Sequence, residues 1–381
     1  MKYRLGEIAE ITMGQSPKSQ YYNNTGDGIP FLQGNRTFGF KKPIFDTYTT
    51  HITKTAKAGD VIMSVRAPVG DLNITPEDIC IGRGVCSLRM KNGNQEFLYY
   101  MMKYYVNHLL KKESGTVFGS VNRRDIETLE VDIPEDENVQ KKIARYLSMI
   151  DEKIELNSSI NNNLLEQVLT LYRNDFVDTV HDEREICRAD EYFDISIGKT
   201  PPRKEPQWFS TNPQDVTWVS ISDMGTCDLY ISSSSEQLTR EAVERHNVKI
   251  VPDNTVLLSF KLTVGRIAIT NGEMTTNEAI AHFKTDKKEI NEYLYCYLKC
   301  FNYQTMGSTS SIATAVNSKI IKGMPFVVPT NDELEEFHGF AAPMFAKIKA
   351  NQIETDNLTA LRDILLPKLM SGELDVSDIG L

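Results

Sequence analysis

Residues 135–176 read EDENVQKKIARYLSMIDEKIELNSSINNNLLEQVLTLYRNDF, and this stretch decides the fold. Apolar residues fall at Ile143, Leu147, Ile150, Ile154, Leu164, Val168 and Leu171, alternating four and three apart, and Asn157 and Asn161 fill the gaps. A repeat of about 3.5 residues held this long predicts a narrow coiled-coil seam on one helix. Pro134 stands just before it, and neither Pro nor Gly interrupts it. At 1.5 Å per residue the helix would run roughly 60 Å, longer than a compact domain needs.

A second stretch follows nearly the same spacing through Met344, Ile348, Asn351, Thr355, Leu358, Leu361 and Leu365, and Pro367 is expected to stop it. Pro343 predicts a restart or kink near its beginning. Asn157 and Asn351 each lie near the middle of their helix. Antiparallel packing would let these two pair and fix register at a cost in stability. Alternatively both face solvent, since their surroundings are polar.

A chain of 381 residues has room for two or three domains with real cores. Its composition, 40% hydrophobic and 25% charged, is that of an ordinary soluble protein. No apolar run approaches a membrane span, and the start MKYRLGEIAEI lacks a signal-peptide core, so a cytoplasmic protein is expected. Cysteines 80, 86, 187, 227, 296 and 300 show no paired spacing and read as free thiols. The histidines are scattered, so no metal site is expected.

The net charge of −10 argues against nucleic acid only until it is divided. Residues 1–134 carry +3 and residues 181–329 carry −3, whereas 135–180 carry −4 and 330–381 carry −6. The helical segments hold the deficit, and the globular parts together are neutral. Basic residues gathered on one face of each globular part would still suit DNA.

The chain also says nearly the same thing twice. A shift of about 195 residues lays GDVIMSVRAPVGDLNIT (59–75) on NTVLLSFKLTVGRIAIT (254–270). It also lays SVN (120–122) on AVN (315–317), and Ile133-Pro134 on Val328-Pro329. Gly14-Gln-Ser-Pro17 answers Gly198-Lys-Thr-Pro201. The expected layout is therefore a domain at 1–134, a spacer helix at 135–180, a domain at 181–329 and a spacer helix at 330–381. The fold class is α+β, with two similar domains joined by an antiparallel coiled coil in a pseudo-twofold arrangement. Each half should open on a short helix (Leu5 to Ile11; Ala189 to Phe193). Strands are expected at Ile29–Leu32, Asp60–Val65 and Leu72–Thr75, and at Val216–Ile221, Thr255–Phe260 and Ile267–Thr270. Helices are expected at Glu96–Leu110 and Glu292–Tyr303.

Catalytic motifs fail one after another. Gly198-Lys199-Thr200 lacks the first glycine of a phosphate loop, since that position holds Phe193. Pro252-Asp253 with Asp286-Lys287-Lys288 superficially resembles a PD…DxK nuclease signature, but the mates in the other half are Lys57 and Ala58. Neither half carries an FxGxG loop or an (N/D)PP(Y/F) motif. What remains is a binding pattern. In the first half the polar loop residues include Gln33, Asn35, Arg36, Lys41, Lys42, Lys54, Arg66, Arg83, Asn122, Arg123 and Arg124. In the second they include Lys199, Arg203, Lys204, Lys261, Arg266, Asn277, Ser310, Asn317 and Lys319. Arg and Lys hold guanine edges or phosphates, and Asn and Gln read adenine. Arg66 with Lys261, and Arg123-Arg124 with Lys319, are the best placed because they recur in both halves.

At this point the chain resembles the DNA-specificity (S) subunits of type I restriction–modification systems. The carrying stretches are LGEIAEITMGQSP and DEYFDISIGKTP, GDVIMSVRAPVG with TVLLSFKLTVG, SVNRRDIETLEVDIP leading into QKKIARYLSMIDEKIELN, and LRDILLPKLMSGELDV. The resemblance covers the full length. It implies two target-recognition domains that read a split, asymmetric sequence in double-stranded DNA, with the helices as a ruler between them. The chain itself would catalyse nothing and bind no cofactor. Its partners would be two modification subunits, which use S-adenosylmethionine to methylate adenine N6, and restriction subunits, which use ATP and Mg²⁺. Half-sites near one DNA turn, roughly 34 Å, would present both on the same face. The outer faces of the helices, with Lys141, Lys142, Arg145, Glu152 and Glu155, are the expected docking surface for the modification subunits. Three rivals remain: a coiled-coil scaffold that binds no DNA, a metal-dependent nuclease centred on Asp253, and a DNA-reading subunit of a methylation-only system without a restriction partner.

Overall fold

The computed structural model describes residues 1–111, 119–178, 184–306 and 316–376. The chain divides into two compact units, Met1–Leu156 with Thr355–Leu381, and Asn157–Glu354. The two long helices, Glu137–Tyr172 and Asn331–Ser371, each contribute to both units.

In the first unit a four-stranded antiparallel sheet runs in the order Ala9–Met13, Val85–Met90, Val61–Ser64, Leu72–Ile74. The helix Gln95–Lys111 covers it, burying Phe97, Leu98, Tyr100 and Met101. The opening strand Lys2–Arg4 closes against the exit strand Glu130–Asp132. A second sheet has Ile29–Leu32 parallel to Ile79–Ile81 at its centre. Ile143 and Leu147 from the first long helix, and Leu369 and Met370 from the second, share one core with Met63, Leu88 and Met101.

The second unit repeats this strand order and adds one strand: Asp194–Ile197, Ile280–Lys284, Val256–Ser259, Ile267–Thr270, Tyr230–Ile231. Its covering helix is Asn291–Cys300, and Ile186–Arg188 pairs with Pro325–Val327. Tyr172 meets Phe337, and Asn161 meets Asn351, so the two long helices run antiparallel here.

Several sequence expectations need correction. The second long helix passes through both Pro343 and Pro367 without ending. Each ring lies on the exposed side, as do Gly339 and Asp363, whose carbonyls each lose a donor. Phe345 and Ile348, and then Leu369 and Met370, are buried beyond each proline and hold the helix in line. Leu361 is 45% exposed, because Arg362 takes the inward position. Asn351 donates its side chain to Asn161 Oδ1 at 2.8 Å, while Asn157 donates to Glu354 Oε2 at 2.9 Å and to the Asn351 backbone carbonyl at 3.5 Å. The opening helices stop early, at Ile8 and Tyr192, since the alternating residues that follow are strands.

Of the seam residues, Ile143, Leu147, Ile154, Asn157, Ile348 and Asn351 are buried, and Ile150, Leu164, Leu171, Met344, Leu358 and Leu365 are half-buried. No helix among the described residues is long and apolar enough to cross a membrane.

Candidate nucleic-acid interface

Both units use a buried serine to shape a loop. In the first, Ser64 Oγ donates to Pro68 O at 2.8 Å and accepts from the Asp71 amide at 2.9 Å, while Gly70 N reaches Ser64 O at 3.0 Å. In the second, Ser259 Oγ donates to Thr263 O at 2.6 Å and accepts from the Arg266 amide at 3.0 Å, and Gly265 N reaches Ser259 O at 3.0 Å. Both glycines need their positive φ, +96° at Gly70 and +91° at Gly265. A Cβ at Gly70 would fall 2.5 Å from Val106, and one at Gly265 would fall 3.1 Å from the Tyr303 ring. The repeated SVRAPVG and SFKLTVG are thus one loop built twice, with Arg66 and Lys261 exposed at corresponding positions.

Other loops gather beside it. In the first unit, Ser16 Oγ donates to Gln33 Oε1 at 2.9 Å and accepts from the Arg83 amide at 3.1 Å. Val65 N reaches Gly84 O at 2.9 Å, and Arg66 pairs with Ser120 in an isolated bridge. Arg66 and Arg83 are exposed, and the Gly14–Pro17 turn, Gln33 and the Gly82–Gly84 turn meet around them. In the second unit, Lys199 N reaches Thr276 O at 2.9 Å, Asn277 N reaches Val219 O at 2.9 Å, and Phe260 N reaches Ala279 O at 2.9 Å. Burial raises the Glu278 carboxyl, but the Thr200 hydroxyl, with Lys261 and Arg203 nearby, outweighs it and holds the group below its usual range.

The geometry sorts the other candidates. Lys42, Lys54, Arg124, Lys204 and Lys319 are exposed. Lys41 is not: only 7% exposed, its amine reaches Glu96 and the Tyr100 hydroxyl, each at 3.3 Å. It anchors its loop to the covering helix and has no reach left for DNA. Arg203 makes a two-pronged pair with Glu236, at 3.0 and 2.8 Å, and stacks over Phe209 and Trp218. Arg266 donates to Ile221 O at 2.5 Å, and Lys199 to His246 O at 2.6 Å. These three brace loops. Arg36 pairs with Asp46 and Arg123 with Glu127, both at the surface. Asn122 and Asn317 spend their side-chain oxygens as N-caps of Arg123–Glu127 and Ser318–Lys322. Ser310 lies outside the described residues.

Asp253, the nuclease candidate, accepts from Gly272 N at 2.7 Å and faces Lys349 at 3.8 Å. Among the described residues no three His, Cys, Asp or Glu side chains group as metal ligands would. On the first long helix Lys141 and Arg145 are exposed, and Arg145 pairs with Glu152 at 3.3 Å.

The sequence matches the family described as the type I restriction modification DNA specificity domain, over residues 1–166 and again over 182–341. It is 24% identical over 417 aligned positions to the type I restriction enzyme MjaIX specificity subunit of Methanocaldococcus jannaschii, covering 99% of this chain and 94% of that protein. A putative MjaX specificity subunit of the same organism is 39% identical over 149 residues, which is 39% of this chain and about a third (35%) of that protein. The crystal structure of the type I restriction-modification system S subunit from M. genitalium superposes with a TM-score of 0.58. It shares 15% identity and covers 97% of this chain and 95% of that one, a likeness of fold.

Proposed function

The chain belongs to the type I restriction modification DNA specificity family, with two such domains, and we propose from that membership that it reads a bipartite, asymmetric DNA target, one half-site per unit. The observation that carries this reading is the serine-shaped loop built twice, each with a cation at the same place. The sequences around these loops differ, as two different half-sites require. Arg66, Arg83, Lys42 and Lys54 in the first unit, and Lys261, Lys204 and Lys319 in the second, hold phosphates or guanine edges, and the exposed Gln33 stands beside Arg83 for a base edge.

The long helices, paired as an antiparallel coiled coil, serve as the spacer, and their exposed flanks with Lys141, Arg145 and Glu152 dock two modification subunits. The chain supplies no catalytic group. Adenine-N6 methylation with S-adenosylmethionine takes place on those subunits, while ATP and Mg²⁺ belong to restriction subunits. Joining two weak half-site readers raises the effective concentration of the second contact. The test is in vitro methylation by the assembled modification complex on targets with one half-site scrambled. Loss of methylation with either half scrambled supports the reading, and methylation indifferent to one half contradicts it.

A further inference from the structure

Leu262 is 99% exposed, and it sits at the tip of the second unit's serine-shaped loop. Its φ is +60°, a region that a branched side chain enters only under strain. The Thr263 amide donates across it to Lys261 O at 2.6 Å, which makes Leu262 the centre of a tight three-residue turn of the rare, strained kind. The loop is held from below: Ser259 is fully buried and binds Thr263 O and the Arg266 amide, and Gly265 rests on the Tyr303 ring. Such strain persists only where the surroundings over-determine it, and here it pushes an apolar side chain into water. Burial cannot be the reason.

We infer that Leu262 is a wedge that enters a base-pair step of the second half-site while Lys261 holds the adjoining phosphate. This inference rests on the DNA-reading function proposed above. Apolar wedges of this type part neighbouring base pairs and kink the duplex by roughly 20–90°. The cost depends on which step is opened, so the wedge selects sequence without a hydrogen bond to any base. Pyrimidine–purine steps open most readily and are the class it favours. The corresponding loop of the first unit carries Ala67-Pro68 beside Arg66, a smaller apolar tip, so the two half-sites are bent unequally.

The test uses the full chain assembled with its modification subunits, on duplexes carrying 2-aminopurine at successive positions of the second half-site. Wild type should raise the fluorescence severalfold at one step away from the methylated adenine. Leu262→Gly should abolish that rise and weaken binding roughly tenfold, while Leu262→Met keeps most of it. Glycine takes positive φ freely, so the Gly variant should melt no lower than wild type, whereas a merely structural leucine would leave it less stable. If the rise survives in Leu262→Gly, or never occurs although the target adenine still responds, the wedge is overturned and the recognition reading stands. If wild type forms no sequence-specific complex, the recognition reading itself fails.

Discussion

Arg362 meets Asp151 at 3.0 Å in the interior of the first unit, where the aspartate side chain is fully buried and the arginine 10% exposed. The Tyr100 hydroxyl donates to the other carboxylate oxygen at 2.7 Å. Burial pushes that hydroxyl well above its ordinary range, with the nearby Asp151 adding to the shift, so it stays a donor. Lys41 donates to the same hydroxyl and ties the polar loop before Asp46 to this cluster. Removing the arginine strands the buried aspartate, whereas removing the aspartate leaves Arg362 paired with Asp363 at 2.9 Å. Arg362→Met should therefore lower stability by about 3–5 kcal/mol, while the double change Asp151→Leu with Arg362→Met should cost far less. Chemical denaturation of the full chain checks this, and equal losses in both variants would refute the account.

Lys41 and Arg66 test anchoring against the proposed DNA contact. Arg66→Ala or Arg83→Ala should each reduce the slope of log affinity against log salt by about 1 and leave melting nearly unchanged. Lys41→Met should leave the slope alone and lower the melting temperature. Salt titrations of the assembled complex on its target provide the reading. A slope change for Lys41→Met would return that amine to the interface.

His282 lies in the central sheet of the second unit, with Ser196 Oγ at 3.0 Å on one ring nitrogen and Thr276 Oγ1 at 2.7 Å on the other. Burial lowers its pKa to about 3, and Lys284 adds to the shift. The unfolded chain binds this proton near 6.5, so it holds more protons than the folded chain between the two values. Stability contributed by the neutral ring is thus complete above about pH 6.5 and is lost as pH falls toward about 3, by roughly 1 kcal/mol already at pH 5.5. Denaturation at pH 7.5 and 5.5 should show that loss in wild type and not in His282→Gln.

The Asn351–Asn161 pair gives the helix seam of the second unit its own test. Asn351→Leu leaves the buried Asn161 without this donor and should cost about 1–3 kcal/mol, whereas changing both to Leu should be neutral or stabilising. If the single change is also neutral, the pair contributes nothing to the seam.

The sequence shows the parts of this molecule that obey a period. Leu147, Ile154 and Ile348 lie on the seam because coiled-coil spacing is rigid, and Ser64 and Ser259 announce the repeated loop. Val85–Met90 and Ile280–Lys284, interior strands of the two sheets, go unnoticed. Ser87 and Arg89 break the apolar run of the first and His282 that of the second, whereas the equally buried Val61–Ser64 and Val256–Ser259 open on unbroken apolar runs. Arg362 is hidden for a similar reason, since a charged residue in a seam position breaks the pattern that would reveal it. Lys41 and Arg203 look like surface cations because sequence does not show their partners, Glu96 and Glu236, which are distant in the chain. The strain at Leu262 has no sequence signal beyond a leucine where the first half has Ala67.

Methylome sequencing of host DNA with this gene intact and deleted tests the central claim most directly. The account predicts a split motif carrying N6-methyladenine on both strands, present with the gene and absent without it. A motif unchanged on deletion, with the modification subunits expressed, would contradict it.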